Sequence, residues 1–322
     1  MPLFNAIRRA SLGPAIAAFA ALSLPCAAAA QDLSPQGLQS AEREGLRNMI
    51  CPPPGYRGAG LDEMFDHERQ RIEPARVFDN LYMLGTRTVT AWALTTPEGI
   101  ILFDAMLKNS VVPTVEQHMI TLGLDPADIK YVVITHAHND HFGGARYLQD
   151  KYGALVIMTE ADWSHLHSWP QLGEPAPYPR KDMAVSDGQT LTLGGTTVKF
   201  VATPGHTPGT LSPIFPVQDG ANTHYVGYWG ASAAGYLPPE GIAQYMGSVD
   251  KFLRADPRVD VIISNHPALD ASLFKAEALK QRRPGEPHPF VSGNARFRQW
   301  MQEIHDCAGE MLDQKVAAAA AG

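Results

Sequence analysis

The chain has 322 residues, of which 45% are hydrophobic and 18% are charged, a composition typical of a globular protein. Its formal net charge is −7. Setting aside the first thirty residues removes two of the 26 basic residues and none of the 33 acidic ones, which leaves −9. With only one dense basic patch, residues 280–283, this charge argues against a polyanion or an anionic membrane surface as partner.

The first thirty residues have the features of a secretory signal peptide. Arg8 and Arg9 form a basic segment, residues 10–24 are apolar but too short to span a bilayer comfortably, and residues 28–30 form an A-x-A cleavage site. We therefore predict cleavage near Ala30 and a periplasmic or secreted protein that has no membrane partner.

The remaining chain divides into an arm and a domain. Residues 31–75 are polar and irregular, and we expect them to wrap the surface as an N-terminal arm. In residues 76–322, short apolar strands alternate with segments of helical spacing, which predicts sheet and helix layers around one core. Several strands end in polar loops: "YVVITHAH", "GALVIMTE", "GTTVKFVATPGH", "THYVGYWG" and "VDVIISNHP". An apolar stripe from Phe297 to Met311 predicts a final amphipathic helix.

Two cysteines, Cys51 and Cys307, remain after the first thirty residues. In an exported protein they can form a disulfide, which would join the arm to the final helix. The alternative is two buried thiols, because sequence alone does not give their separation.

The strongest histidine signals follow the ends of predicted strands. The residues that share this position are His136, His138, Asp140, His141, His206 and His266. In an extended segment, residues two apart point to the same side, so His136 and His138 can bind one metal ion while Asp140 and His141 face a second. Imidazole and carboxylate suit zinc, whereas structural zinc sites favour cysteine, which does not occur near these residues. The pattern predicts a catalytic centre with two zinc ions, in which Asp140 is the catalytic carboxylate.

The H-x-H-x-D-H pattern with two distant histidines resembles the metallo-β-lactamase superfamily over residues 77–312, and "HAHNDH" with "ATPGHTPGTLS" most resembles its subclass B3 metallo-β-lactamases. The resemblance implies a mixed α/β fold, a four-layer αβ/βα sandwich, for residues 76–322, with the site at the shared edge of two sheets. It implies two sets of zinc ligands, namely His136, His138 and His206 for the first ion and Asp140, His141 and His266 for the second.

The resemblance also implies a hydrolase that opens the β-lactam ring of antibiotics by attack of a zinc-bound hydroxide. The stretch "YVGYWGASAAGY", residues 225–236, contains no acid, whereas glyoxalase II-like relatives carry a bridging aspartate there. Subclass B3 enzymes commonly have serines in this loop, and here Gly230 stands at one serine position and Ser232 at the other. Two alternatives therefore remain open: a zinc hydrolase of lactones or other small cyclic esters, and a non-catalytic metal-binding protein on the same fold.

Further residues are candidates for roles around the centre. Those expected to contact a small-molecule substrate are Ser232, Tyr228, Trp229 and Trp163, the alternative for Trp163 being a packed surface loop. Asp104, at the end of "GIILFD", is expected to accept a hydrogen bond from a ligand histidine, the alternative being an ordinary strand-end carboxylate. We expect a monomer that does not bind nucleic acid.

Overall fold

The computed structural model describes residues 31–52, 65–66 and 68–321, so the predicted signal peptide lies outside the described residues. Two sheets are formed within these ranges. The first has the spatial order β1 (Ala75–Phe78), β2 (Leu81–Gly85), β3 (Thr90–Thr96), β4 (Gly99–Phe103), β5 (Ile129–Val133), β6 (Leu155–Thr159), β7 (Met183–Val185). The second has the spatial order β8 (Thr190–Leu193), β9 (Thr196–Ala202), β10 (Leu211–Asp219), β11 (Asn222–Trp229), β12 (Val259–Ser264). All five segments quoted above form strands, as predicted.

Most helices of the described chain lie on the outer faces of the sheets. They are α1 (Pro35–Ile50), α2 (Gln117–Thr121), α3 (Asn139–Phe142), α4 (Ala145–Tyr152), α5 (Glu160–His165), α6 (Pro239–Leu253), α7 (Pro267–Asp270), α8 (Ser272–Gln281) and α9 (Asn294–Ala321). A π-helical turn, Val111–Glu116, leads into α2, and a 3-10 turn, Pro126–Asp128, leads into β5. The predicted amphipathic C-terminal helix corresponds to α9.

The alternation of side chains along each strand builds three apolar layers. In β4, Ile101 and Phe103 point between the sheets and pack with Phe215 of β10, while Ile100 and Leu102 point outward beneath the helices of the first sheet. The second sheet has its own outer layer, in which α1, α6 and α9 cover Trp229 and its neighbours. Helix, sheet, sheet and helix therefore follow one another, and the predicted four-layer sandwich is confirmed.

Strand direction brings several loops to one edge of the sandwich. In the first sheet β4, β5 and β6 are parallel, so the loops after them share one edge. In the second sheet β9 and β11 are both antiparallel to β10, and β12 is parallel to β11, so their carboxyl ends also meet at one edge. Hydrogen bonds join the two edges, from Leu211 N–H to the carbonyl of Thr135 at 2.7 Å and from Thr90 N–H to the carbonyl of Asn265 at 2.9 Å.

The arm is more ordered than its sequence indicates, because much of it forms α1. Ser34 caps this helix, accepting a hydrogen bond from Gly37 N–H at 3.1 Å, and Pro35 occupies its first turn. Its buried stripe consists of Leu38, Glu42, Leu46 and Ile50. The expectation of an irregular segment was wrong here, because a buried glutamate interrupts the apolar pattern that would reveal a helix.

Partners far along the chain hold α1 in place. The Glu42 carboxylate lies 2.8 Å from Lys275 Nζ of α8 and 2.8 Å from Arg296 Nη2 of α9. At the end of the helix a disulfide joins Cys51 to Cys307, whose Cα atoms are 5.5 Å apart. The arm is therefore attached to the domain at the middle of its helix and at the C-terminal end.

Candidate metal centre

Three histidine side chains meet where the two sheets share an edge. His136 and His138 follow β5, His206 follows β9, and their ligand atoms lie within 4.8 Å of one another. Nε2 of His136 is 3.1 Å from Nε2 of His206. We call these three residues the first ligand group.

Backbone carbonyls orient two of these rings. Nδ1 of His136 lies 3.0 Å from the carbonyl oxygen of Gly230, and Nδ1 of His206 lies 2.7 Å from that of Ala233. Since a carbonyl oxygen can only accept, each Nδ1 carries the proton and each Nε2 keeps a free lone pair. The loop after β11 thus presents two imidazoles in the tautomer that binds a metal.

Asp140, His141 and His266 form the second ligand group, next to the first. Oδ2 of Asp140 lies 3.2 Å from Nε2 of His141 and 3.8 Å from Nε2 of His266. Asp140 and His141 also lie within 4.8 Å of the ligand atom of His136, so the two groups adjoin at that ring. The carbonyl of Thr88 accepts a hydrogen bond from Nδ1 of His266 at 2.7 Å, which leaves Nε2 of His266 free as well.

The donor set fits a pair of metal ions. Among the described residues, Oδ1 of Asp140 and Nε2 of His141 are buried and make no hydrogen bond, although such groups are rarely left without a partner. Burial opposes a positive charge on His141, but the carboxylates of Asp140 and Asp104 outweigh it and raise the pKa of His141 to about 10. The carboxylates therefore favour a cation at this point. Burial, then the neighbouring imidazoles, lowers the pKa of His136 and of His206 well below the usual value, so both are neutral ligands.

Asp104 makes the hydrogen bond expected of it. Its Oδ2 lies 2.9 Å from Nδ1 of His141, and it also accepts hydrogen bonds from the Thr135 hydroxyl at 2.8 Å and the Tyr228 hydroxyl at 3.2 Å. The backbone of Asp104 has φ +62, in the left-handed region that is uncommon outside glycine. This strained position supports a role for Asp104 in orienting its histidine partner.

Three predicted substrate contacts are corrected by the structure. Tyr228 is fully buried between the sheets, with its hydroxyl on Asp104. Trp229, on the opposite face of β11, is fully buried beneath the helices and its indole N–H donates to the Tyr245 hydroxyl at 3.4 Å. Trp163 packs in the outer core of the first sheet and donates to the carbonyl of Met183 at 2.7 Å. These rings support the centre from within the fold and do not line it.

Ser232 and Gly230 lie at the centre in different ways. Oγ of Ser232 is 3.3 Å from Nε2 of His206, so this residue is brought to the site. At Gly230 an added Cβ would collide with the carbonyl oxygen of Leu211 and lie 3.2 Å from Cβ of Thr135. A serine side chain has no room at position 230 in this backbone.

Further residues lie at the centre, and among them Asn265 was missed by the sequence analysis. The Trp169 ring meets His138 edge to face, with centroids 5.0 Å apart, and the Tyr236 ring packs on His206 at 5.7 Å. Asn265, beside His266, donates to the Gly230 carbonyl at 3.0 Å and to Thr135 Oγ1 at 2.9 Å. "SWP" around Trp169 lies close to "HLH" in the sequence, but nothing local relates it to His138. A second H-x-H motif, His165 and His167, belongs to neither ligand group.

The chain is similar to known proteins in sequence and in structure. Residues 84–220 match the model of the metallo-β-lactamase superfamily. A subclass B3 metallo-β-lactamase from a soil metagenome library, MEM-A1, is 30% identical in a match that covers 78% of this chain and 98% of that one, with a TM-score of 0.65. The chain belongs to the metallo-β-lactamase superfamily. BJP-1, a subclass B3 enzyme of Bradyrhizobium japonicum, is 27% identical over 78% of this chain and 97% of its own, with a TM-score of 0.65. The predicted resemblance to subclass B3 is confirmed, and these metal-dependent hydrolases support the predicted enzyme class.

The curated relatives are named hydroxyacylglutathione hydrolases, whereas the similar solved structures are named metallo-β-lactamases. A hydroxyacylglutathione hydrolase of Acidiphilium cryptum (strain JF-5) is 38% identical over 87 residues, which are 27% of this chain. The match spans 31% of that relative's length. It does not extend the relative's activity to this chain.

Among the helices that the structure describes, none is long and apolar enough to cross a bilayer.

Proposed function

We propose that this superfamily member is a di-zinc hydrolase that opens the β-lactam ring of antibiotics. The observation that carries the proposal is the complete set of five imidazoles and one carboxylate, arranged as two adjoining ligand groups at the sheet edge. The likeness to subclass B3 enzymes over nearly their whole length supports the substrate class.

In this proposal each ligand group holds one zinc ion. His136, His138 and His206 hold the first ion, and Asp140, His141 and His266 hold the second. Bound zinc lowers the pKa of water to about 7, which supplies a nucleophile at neutral pH, and it polarises carbonyl oxygen.

The chain's own contribution is to orient ligands and to receive the substrate. The carbonyls of Gly230, Ala233 and Thr88 hold protons on Nδ1, so the imidazoles need no rearrangement before they bind metal. Asp104 does the same for His141 with a carboxylate oxygen. Ser232, beside His206, is the candidate hydrogen-bond donor to the substrate carboxylate.

In this proposal the loop after β11 favours lactams over hydroxyacylglutathione, the substrate in the name of the curated relatives. By the resemblance, a bridging carboxylate in glyoxalase II-like enzymes occupies this loop, which contains no acid here. Gly230 adjoins the Leu211 carbonyl so closely that an acidic side chain has no room there. Under this proposal the loop would supply no acidic side chain to a pair of metal ions.

We also propose that the protein acts after export, in the periplasm or outside the cell. The support is the sequence of residues 1–30 together with the disulfide between Cys51 and Cys307, which suits an oxidising compartment.

The test compares substrate classes with one zinc-loaded preparation. Protein beginning at residue 31 is assayed on a penicillin, a cephalosporin, a carbapenem, a glutathione thioester and a lactone, with and without a chelator. We expect chelator-sensitive opening of at least one β-lactam, at a higher kcat/KM than for the thioester and the lactone. Turnover of only the thioester or the lactone would overturn the substrate assignment, and no turnover by the two-zinc protein would favour the non-catalytic alternative.

Two histidine variants test whether activity depends on the metal ligands specifically. His138→Ala should lose more kcat/KM than the roughly 10- to 100-fold typical for residues that only orient a ligand, because it removes a ligand of the first ion. His305→Ala, on α9 beside Asp306, should retain the rate of the unchanged protein.

A further inference from the structure

One buried carboxylate, that of Asp162, ties together the two segments that carry the first ligand group. Asp162 lies in the first turn of α5, directly after β6, and is 1% exposed. Its Oδ2 accepts hydrogen bonds from Ala137 N–H at 2.9 Å and from the Thr207 hydroxyl at 2.9 Å. Its Oδ1 accepts one from Gly209 N–H at 2.8 Å.

The two donors to Oδ2 are neighbours of the first ligand group in the sequence. Ala137 stands between His136 and His138, and Thr207 directly follows His206. A single oxygen atom therefore links the backbone between two ligands to the side chain next to the third.

The second ligand group is held by other residues. Asp104 orients His141, and the Thr88 carbonyl orients His266. Among the hydrogen bonds of the described residues, Asp162 makes none to Asp140, His141 or His266. The hydrogen bonds of Asp162 thus reach segments of the first ligand group and not the ligands of the second.

The hydrogen bond from Gly209 to Oδ1 of Asp162 is accompanied by close packing of that glycine, whereas the hydrogen bonds from Ala137 and Thr207 to Oδ2 are not. Gly209 packs so closely on the first turn of α5 that an added Cβ would collide with Thr159 Oγ1, and Thr159 donates to the Gly209 carbonyl at 2.8 Å. The Gly209 turn therefore has two attachments to α5. Ala137 N–H and the Thr207 hydroxyl reach α5 through Oδ2 of Asp162.

We propose that Asp162 is a positioning residue that sets the spacing of His136 and His138 relative to His206, and so controls metal affinity at the first ligand group and not at the second. The inference rests on the proposed function only in assigning metal ions to the two groups. It requires no particular substrate.

The test measures each ligand group by itself. In a His266→Ala background the first group is the intact one, and in a His206→Ala background the second group is. Zinc dissociation constants are measured by competition with a chromophoric chelator, before and after adding Asp162→Asn. We expect 10- to 100-fold weaker zinc binding in the His266→Ala background, the range typical for loss of a residue that supports metal ligands, and less than threefold change in the His206→Ala background.

Substitutions of Thr207 change one hydrogen bond to Oδ2 of Asp162 and leave the carboxylate in place. Thr207→Val removes the hydroxyl that donates to Asp162 and that also contacts Thr210 Oγ1 at 2.8 Å. It should weaken zinc binding in the His266→Ala background about tenfold, the lower end of the range for such partners. Thr207→Ser keeps the hydroxyl and should bind zinc as tightly as the protein with Thr207. These variants test the inference even if Asp162→Asn does not fold.

Several results would overturn the inference. Equal weakening in both backgrounds would mean that Asp162 supports the fold in general. Unchanged zinc affinity in the His266→Ala background would mean that the spacing does not depend on its carboxylate. Because the readout is zinc affinity, a protein that opens no β-lactam still tests Asp162, and the failure of one proposal remains distinct from the failure of the other.

Discussion

The Asp104 carboxylate lies 2.9 Å from Nδ1 of His141, and both side chains are fully buried. The same carboxylate accepts the backbone N–H of Thr135 at 2.7 Å, directly before His136. It therefore orients a ligand of the second group and also holds the strand end that leads into the first group.

Asp104→Asn should weaken the hydrogen bonding that orients His141. Asp104 accepts four hydrogen bonds, and an amide would set an N–H donor against at least one of those donors. We expect zinc at the second ligand group to bind about 10- to 100-fold more weakly. Chelator competition measures this in the His206→Ala background, with Asp128→Asn on the surface as control. Equal affinities in the two variants would contradict the role given to Asp104.

Gly230→Ala tests the close approach of the loop after β11. The new Cβ would meet the Leu211 carbonyl oxygen, which belongs to backbone and cannot rotate away. We expect a loss of about 1–3 kcal/mol of unfolding free energy, with weaker zinc binding because the Gly230 carbonyl holds His136. Urea denaturation and zinc content are the measurements. Gly247→Ala, in a part of α6 with open space around the new methyl group, should instead be neutral or stabilising. A well-folded, fully loaded Gly230→Ala protein would show that the loop adapts.

Ser232→Ala tests substrate binding beside His206. A hydrogen bond to the substrate carboxylate that is kept from the ground state to the transition state affects KM and leaves kcat nearly unchanged. We expect KM for a β-lactam to rise about 3- to 10-fold, as for a net loss of one hydrogen bond. Steady-state kinetics measure the two constants, with Ser40→Ala on α1 as control. A fall in kcat at constant KM would assign Ser232 to the reaction step instead.

Glu42 gives the protein a pH-dependent part of its stability. Burial acts to raise the pKa of Glu42, but Lys275 and Arg296 outweigh it and hold the pKa below its usual value of 4.5. A carboxyl group with a lowered folded-state pKa stabilises the fold above pH 4.5, and this contribution is lost as the pH falls through the folded-state value.

Glu42→Gln should therefore destabilise the protein most near neutral pH. The substitution leaves the buried Lys275 without its ion-pair partner and leaves Arg296 with Glu303 alone, which costs about 3–5 kcal/mol. Denaturant unfolding from pH 7 to pH 3 should show the difference from the unchanged protein shrinking below pH 4.5. Glu44→Gln, an exposed change on the same helix, is the control. A difference that stays constant with pH would contradict the ionic role.

The disulfide between Cys51 and Cys307 should matter for stability and not for catalysis. It closes a loop with a sequence separation of 256, so removing it relieves a large constraint on the unfolded chain. Replacing both cysteines with serine should lower the unfolding free energy by about 2–5 kcal/mol. Zinc content and kcat at 25 °C should stay unchanged, because Glu42 still holds α1 on the domain. Loss of zinc in the double variant would link the arm to the metal centre.

Much of the fold and of the ligand set could be predicted because their signals are local. The strands before His136, His206 and His266 are short apolar runs that end in polar loops, and H-x-H-x-D-H is a compact motif. The hydrogen bond from His141 to Asp104 was predictable because Asp104 also ends a strand. Parallel neighbours such as β4 and β5 bring their carboxyl ends together.

The errors arose where burial depends on distant parts of the chain. Both faces of β11 are covered, one by the opposite sheet and the other by helices, so Tyr228 and Trp229 are both buried and neither lines the centre. Glu42 is compatible with a buried helix face only because its partners come from α8 and α9. The role of Asp162 depends on donors after β5 and after β9, which no local pattern connects to it.

The most direct test of the central claim is a zinc titration of the metal-free protein while β-lactam opening is followed. The proposal predicts that the rate rises with added zinc and levels off at two equivalents per chain, and that chelator abolishes it. A protein that binds two equivalents and opens no β-lactam, or one whose rate does not depend on zinc, would contradict the account.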